Sequence, residues 1–315
     1  MISVVIPCYN CEETVSSCLD SLLNQTYQDF EIICVNDGSK DDTLDVLKTY
    51  QKQHPQLKLT IVSHHNQGVS FTRNRGMELA QGTYVSFVDP DDLVDTRFLE
   101  LLYQPYLIED CQLSVVGVQK TNEESINLDG GLEFLSKEQY FHKIFRDPMV
   151  KGYSCNKLYR LDLIKQQQIF FKSDLTVMED LEFNVHYCSF VKKVAYTKEQ
   201  LYHYVIHPKS VMNKGWQDDK MSVLKTFSYM RQYPMSKEQQ ELIALDYTRS
   251  LLWLIGQLYR TGSNQDIVQW EPKLLEELSR EQGLFLRRGY QVGLKYYLSY
   301  LFFSLNKRLL RLVIR

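Results

Sequence analysis

Over the first 120 residues, short apolar runs of strand length alternate with segments of helical period. Residues 2–6 form a β-branched run of the kind that a strand buried on both faces requires, and Pro7 ends it. Residues 14–23 then place Val15, Cys18, Leu19 and Leu22 on one helical face. A second buried strand over 30–35 stops at Asn36-Asp37-Gly38-Ser39. There Ser39, as N-cap with Asp42 three residues on, predicts a helix carrying Leu44, Leu47 and Tyr50. A third strand is expected over 57–62, and a helix over 69–80 ends before Gly82. A fourth strand over 84–88 runs into Asp89-Pro90-Asp91-Asp92, followed by a helix over 96–106 and a strand over 113–118.

Strands alternating with helices predict an α/β fold, a mostly parallel, Rossmann-like sheet with helices on both faces. Ligands of such sheets bind beyond the carboxyl ends of the strands, which here are Asn10, Asp37, the 66–68 loop and Asp89 to Asp92. Residues 120–147 carry few strand signals and are expected to form an excursion over the sheet. From 153 to 210 the pattern is mixed, with a short helix near Leu161, a helix opened by Glu179-Asp180, and strands over 193–196 and 201–206. Beyond Gly215 the pattern is helical, with Pro234 and Pro272 as breaks. The expected division is therefore 1–215, with halves 1–120 and 121–215, and a helical region over 216–315.

Composition narrows the class. The chain has 315 residues, 44% hydrophobic and 24% charged, which excludes a disordered or collagenous protein. Its net charge of −3 is a sum of unlike parts: residues 283–315 carry seven Lys or Arg and no acid, leaving −10 on residues 1–282. An acidic main body argues against a nucleic-acid footprint. The seven cysteines are scattered through apolar runs and read as reduced core residues of an intracellular protein. Cys8 and Cys11 form a lone C-x-x-C with no second pair at zinc-ribbon spacing. No secretory leader and no apolar run long enough to cross a bilayer is expected.

No Gly-x-Gly-x-x-Gly or Walker A motif is present; the chemistry on offer is carboxylate at strand ends. Asp89, Asp91 and Asp92 fall within four residues, and like charges so close repel unless a cation sits among them. Hard oxygen ligands suit Mg2+ or Mn2+, which typically use one or two carboxylates plus substrate phosphate. A plainer role for Asp91 or Asp92 is to cap the next helix, and for Asp37 to shape a turn beside Gly38. Glu179-Asp180 likewise suits the positive end of a helix dipole.

Six blocks in order resemble the signatures of family 2 glycosyltransferases of the GT-A fold. They are Val4-Val5-Ile6-Pro7-Cys8-Tyr9-Asn10; Val35-Asn36-Asp37-Gly38-Ser39 with Asp41-Asp42-Thr43; Asn66-Gln67-Gly68 with Arg73-Asn74-Arg75-Gly76; Phe87 to Asp92; Asn156-Lys157-Leu158-Tyr159; and Met178 to Phe183. The likeness covers residues 2 to 212 or so. It implies an inverting transfer of a sugar from a nucleotide diphosphate donor, most often a UDP-sugar. It also implies that Pro7, Tyr9 and Asp37 frame the nucleotide, with Asp37 accepting from the uracil, and that Arg73 lies against the donor. Asp89 would reach the ribose or the metal's water shell, Asp91 would ligate the Mn2+ or Mg2+, and Asp180 would be the catalytic base. The Arg of the family's Tyr-x-Tyr-Arg block is missing after Tyr202-His203-Tyr204; His207 and Lys209, before Ser210, are candidates to take over a metal or phosphate contact, with His207 as a metal ligand and Ser210 at the donor, although His207 equally suits a loop beside Pro208.

The resemblance implies a saccharide acceptor on a lipid carrier or a glycoprotein, and an enzyme at the cytoplasmic face. The basic, aromatic tail, with Arg287, Arg288 and Lys295 before an apolar stretch and Lys307, Arg308 and Arg311 after it, suits either a homo-oligomer interface or peripheral contact with the inner membrane face. Two rival classes are a sugar-nucleotide nucleotidyltransferase and a non-catalytic nucleotide-sugar-binding protein. The first is expected to carry a Gly-rich basic loop after strand one, where this chain has Cys11-Glu12-Glu13. The second is expected to lack the acids kept at 89, 91 and 180.

Overall fold

In the computed structural model, which describes residues 1–121, 131–206 and 215–305, the chain packs as two units. The first comprises Met1–Asp174 and Glu179–Ile206; the second comprises Leu175–Met178 and the chain from His207 on.

The first unit is built on β1 (Ile2–Cys8), β2 (Phe30–Asn36), β3 (Leu59–Ser63) and β4 (Tyr84–Phe87), joined through α1 (Val15–Leu23), α2 (Thr43–Gln53) and α3 (Val69–Leu79). Every residue of β1 and β2 is buried, as their largely apolar runs require, and two of the polar exceptions, Ser3 and Glu31, share a hydrogen bond of 2.6 Å. Next in the chain come β5 (Leu93–Val94), α4 (Phe98–Tyr103), α5 (Pro105–Ile108), β6 (Leu113–Lys120), β7 (Glu133–Ser136), α6 (Lys137–Arg146), β8 (Lys157–Arg160), α7 (Leu161–Gln166), α8 (Glu179–Cys188) and β9 (Lys193–Tyr204). The strands form one sheet in the order β3-β2-β1-β4-β8-β6-β9-β5, with β7 also on β9. Since only β5, β7 and β8 run against their neighbours, six of the nine described strands share one direction.

Pro7 lies inside β1 rather than ending it, because its missing N–H costs nothing there. Val5 accepts from Val88 on the β4 side and Cys8 accepts from Asp37 on the β2 side, so the alternation turns Pro7 toward β4, whose pairing with β1 has already ended at Phe87. The expected Ser39 cap does not form. Ser39 Oγ instead donates to Asn36 Oδ1 (2.6 Å) and accepts from Asn10 N–H, so α2 starts only at Thr43. The two strands expected over 193–206 are one: β9 bulges near Lys198, and Gly117 on β6 admits that bulge, since an added Cβ there would lie 2.8 Å from the Lys198 carbonyl. The 120–147 segment holds β7 and α6 among its described residues, α6 being opened by a capping box of Ser136 and Gln139.

The second unit is helical, with α9 (Ser222–Met230), α10 (Lys237–Thr261), α11 (Asn264–Arg280), α12 (Gln282–Arg288) and α13 (Leu294–Leu305). Ser236 and Ser263 form capping boxes that start α10 and α11. Pro234 falls between helices as expected, but Pro272 lies inside α11. The carbonyl that it deprives of a partner, that of Val268, belongs to an exposed residue, where water can replace the lost donor. Leu251, Leu254, Ile255, Leu274, Leu278, Phe285 and Tyr300 are buried. On α13, Leu294, Leu298, Phe302 and Leu305 stay exposed along one face. No helix among the described residues is long and apolar enough to cross a membrane. All seven cysteines are buried and free.

Candidate active site

The carboxyl ends of β1, β2 and β4 bring the first candidates to one edge of the sheet. Pro7 is buried in the β1–β2 ladder, opposite Val35, and Tyr9, two residues on, reaches into solvent, 45% exposed. Asn10, at φ 50, accepts from Lys40 N–H and so ties the β1 loop to the β2 loop.

Asp37 is buried, and its carboxylate organises the neighbouring loop. One oxygen accepts from Gln67 N–H at 2.7 Å and the other from Gly68 N–H at 3.0 Å, while Asn66 Nδ2 donates to its carbonyl. His64 Nδ1 is 3.3 Å from the same carboxylate. These bonds fix the start of α3, since Gly68 is that helix's N-cap. Gly38 is required here: it sits at φ +66, and an added Cβ would fall 2.7 Å from Asn66 N.

α3 carries Arg73, whose guanidinium meets three carboxylates from two other parts of the chain. Nη1 donates to Asp180 Oδ1 (2.8 Å) and Glu179 Oε1 (3.1 Å), and Nη2 to Asp89 Oδ1 (3.0 Å). Its Cζ lies 5.3 Å from the ring of Phe171, which stacks on Phe183 at 4.0 Å. Burial opposes the charge on Arg73, but Asp180, Asp89 and Glu179 outweigh it and hold the guanidinium protonated. Burial raises the Asp180 carboxyl, against the lowering pull of Arg73 and with a further push from Asp89. Glu179 is raised to about 7 by burial and then by Asp180. Ser154 N–H donates to Asp180 Oδ2 at 3.3 Å, so both oxygens of that carboxylate are oriented.

The β4 loop divides its acids by environment. Asp92 is 1% exposed; Tyr202 Oη donates to its Oδ2 at 2.6 Å and Val205 N–H to its Oδ1 at 2.8 Å. Burial and then Asp89 push its carboxyl up to about 8. Asp92 is thus a strap between the β4 loop and β9, and neither it nor Asp91 caps α4, whose N-cap is Arg97. Asp91 is exposed, and Asp89 engages Arg73 through one oxygen. Exposed carboxylate oxygen at a strand end is a donor set that fits a hard divalent cation. Among the described residues no three His, Cys, Asp or Glu side chains converge as a self-sufficient metal centre. His207, Lys209 and Ser210 lie outside the described residues.

The structure therefore gathers Arg73, Asp89, Glu179 and Asp180 into one cluster, keeps Asp37 on the adjoining loop, and leaves Tyr9 and Asp91 facing solvent. Sequence reasoning missed Glu179 as a partner of Arg73. Nor does the sequence mark Tyr202 as a partner of Asp92, since 110 residues separate the two and neither neighbourhood signals the other.

A family model described as Glycosyl transferase family 2 matches residues 3–196, more than half of the chain. The EpsH protein of Bacillus subtilis (strain 168) is 32% identical over 219 residues, 68% of this chain and 63% of that one. The poly(ribitol-phosphate) beta-glucosyltransferase of Bacillus spizizenii is 30% identical over 217 residues, covering 65% of this chain and 32% of its own. The chain thus spans less than two thirds of these relatives. The crystal structure of S. aureus TarS 1-349 superposes with a TM-score of 0.74 at 18% identity, over 99% of this chain and 90% of that one; the same protein in complex with UDP-GlcNAc gives 0.71 at 17%. At that identity the likeness speaks for the fold.

Proposed function

The chain belongs to glycosyl transferase family 2, and from that premise we propose that it is an inverting, metal-dependent enzyme that moves a sugar from a UDP-sugar to a hydroxyl of a growing bacterial glycan. The observation that carries this reading is the joining of Asp89, just beyond the carboxyl end of β4, to Asp180 through Arg73. Support for the donor comes from the match to a protein crystallised with UDP-GlcNAc.

In the proposed reaction the acceptor oxygen attacks the anomeric carbon, the bond from that carbon to the diphosphate oxygen breaks, and the electron pair leaves with UDP. Asp180 takes the hydroxyl proton as attack proceeds, from the face opposite the leaving group, which inverts the configuration. Its carboxylate is oriented by Arg73 and Ser154 N–H, and it retains 23% exposure through which an acceptor hydroxyl can reach it. Asp91, with Asp89 beside it, would hold the Mn2+ or Mg2+. When bound, such a cation supplies Lewis-acid stabilisation of the charge that develops on the diphosphate.

The acceptor we propose is a saccharide on a lipid carrier or glycoprotein at the cytoplasmic face. The exposed row on α13, with Lys295 beside it, supports a homo-oligomer or peripheral membrane contact, which size-exclusion chromatography and liposome flotation separate. Family membership disfavours the nucleotidyltransferase reading.

The test is UDP release by the purified protein, with Mn2+ or Mg2+, from a panel of UDP-sugars. Asp91→Ala should abolish metal-dependent turnover, and Asp180→Asn should keep donor binding while losing transfer. A protein that neither binds nor hydrolyses any UDP-sugar would sink the proposal.

A further inference from the structure

The segment that leads from α6 into β8 is moulded by side chains rather than by backbone pairing. Five consecutive carbonyls, Met149 to Tyr153, are each taken by a side-chain donor from β8, from the residue before it, or from α8. Asn156 Nδ2 donates to Met149 (3.1 Å), and Lys157 Nζ donates to Val150 (3.1 Å), Lys151 (3.3 Å) and Tyr153 (2.5 Å). Asn184 Nδ2 donates to Gly152 and Tyr153, both at 3.1 Å, and also to the carbonyl of Asp180 at 2.8 Å. Asn184 is itself held by Tyr159 Oη at 2.9 Å, and Lys157 is wholly buried.

The loop is pressed close to the start of α8. A Cβ at Gly152 would fall 2.8 Å from Leu181 Cα, and Lys151 adopts φ 33, a conformation that a side chain rarely takes. The next backbone donor after the five carbonyls is Ser154 N–H, the group that reaches Asp180 Oδ2. A buried ammonium is costly, and burial pulls Lys157 down to about 7. Four oxygens around one Nζ, the fourth being Asn156 Oδ1 at 2.7 Å, are a cage for the protonated form, so its position rewards moulding the loop.

Resting on the reading of Asp180 as the base, we propose that Lys157 and Asn184 are positioning residues: they hold the 149–154 loop so that Ser154 N–H fixes Asp180 Oδ2 while Arg73 fixes Oδ1. Neither side chain touches the reacting atoms. Both act by keeping one carboxylate at one angle, and displacement of a base by about 1 Å can cost roughly 10²-fold in rate.

The experiment compares wild type with Lys157→Met, Asn184→Ala and Asp180→Asn in the full chain. It measures kcat and KM for UDP release from whichever panel sugar nucleotide the wild type turns over fastest, the pH profile of kcat, and hydrogen–deuterium exchange of the 149–156 peptide. In Lys157→Met the peptide should exchange faster, kcat should fall roughly 10²-fold with KM within about twofold, and the acid limb should move to higher pH as ionised Asp180 loses a donor. Asn184→Ala, which removes fewer bonds and leaves Lys157 in place, should do the same to a smaller degree and guards against a Lys157 variant that does not fold. A loop that stays protected in both variants overturns the inference, as does an unchanged kcat and acid limb, or an equal loss of donor binding and turnover. If Asp180→Asn keeps full turnover, it is the assignment of the base that fails. If Asp180→Asn is inactive while the other two are normal, the assignment stands and the positioning inference falls.

Discussion

Arg73 and Asp180 lie 107 residues apart in the chain and 2.8 Å apart in the fold. The same guanidinium holds Glu179 and Asp89, so one cation balances three carboxylates that would otherwise repel. Arg73→Met should therefore destabilise the protein by about 3–5 kcal/mol in urea unfolding, the usual cost of stranding buried charge, and should abolish UDP release. Arg73→Lys keeps the charge but not the planar fork, which predicts intermediate stability and turnover still well below wild type. Wild-type stability in Arg73→Met would show that the three acids do not need this partner.

The raised Glu179 predicts a signed pH dependence. Its carboxyl titrates at about 7 in the fold and near 4.3 in the unfolded chain, so between those values the native state holds the proton more tightly. Its contribution is fully present below about pH 4.3 and is lost as pH rises through 7, at no more than about 1.4 kcal/mol per pH unit. Unfolding free energies of wild type and Glu179→Gln, measured from pH 4 to 8, should diverge in that sense, with wild type losing ground as pH rises. Parallel curves would count against it.

Much of the first unit was legible in the sequence because strands buried on both faces are mostly apolar: β1, β2 and β4 are rich in Val, Ile and Phe, and of their few buried polar residues, Ser3 and Glu31 bond to each other across the sheet in a pairing that the sequence does not announce. The features that stayed hidden depended on partners far along the chain. That Ser39 would bind Asn36 and Asn10 rather than cap α2 could not be read from its neighbours, and neither could the fusion of two expected strands into β9 through a bulge that Gly117 admits. In the site, residue types were legible but pairings were not. Arg73 was expected against the donor on family resemblance; the structure surrounds it with acids. Asp91 and Asp92, adjacent in sequence, end in opposite environments: Asp91 is exposed, while Asp92 is buried and bonded to Tyr202.

Tyr202 donates to Asp92 Oδ2 and accepts from Asp89 N–H at 3.2 Å, so a single hydroxyl bridges both ends of the acidic loop. Tyr202→Phe leaves the buried Asp92 carboxyl with one fewer hydrogen-bond partner, at an expected cost of about 1–3 kcal/mol. If the loop is the metal site, the variant should also lose part of the rise in melting temperature that Mn2+ with UDP gives the wild type, because stabilisation by ligand scales with affinity for the native state. Thermal unfolding with and without Mn2+ and UDP reads both effects. An unchanged melting temperature and an unchanged ligand-induced rise would show that the hydroxyl is dispensable.

Gly76 sits on α3 one turn after Arg73, where the helix crosses β1. An added Cβ would fall 2.2 Å from Val5 Cγ1, far inside van der Waals contact, and only 3.0 Å from Cγ2 and 3.2 Å from Cβ of the same wholly buried side chain. Gly76→Ala should thus cost about 1–3 kcal/mol through overpacking, despite the better helix propensity of alanine. Because the strain pushes α3 off the sheet, it should also displace Arg73 and lower turnover. Val5→Ala opens space on the facing strand: alone it should destabilise by leaving a cavity, but with Gly76→Ala it should recover much of the loss in both stability and UDP release. A double mutant whose stability equals the sum of the two single losses would show that the helix and the strand do not meet at this point.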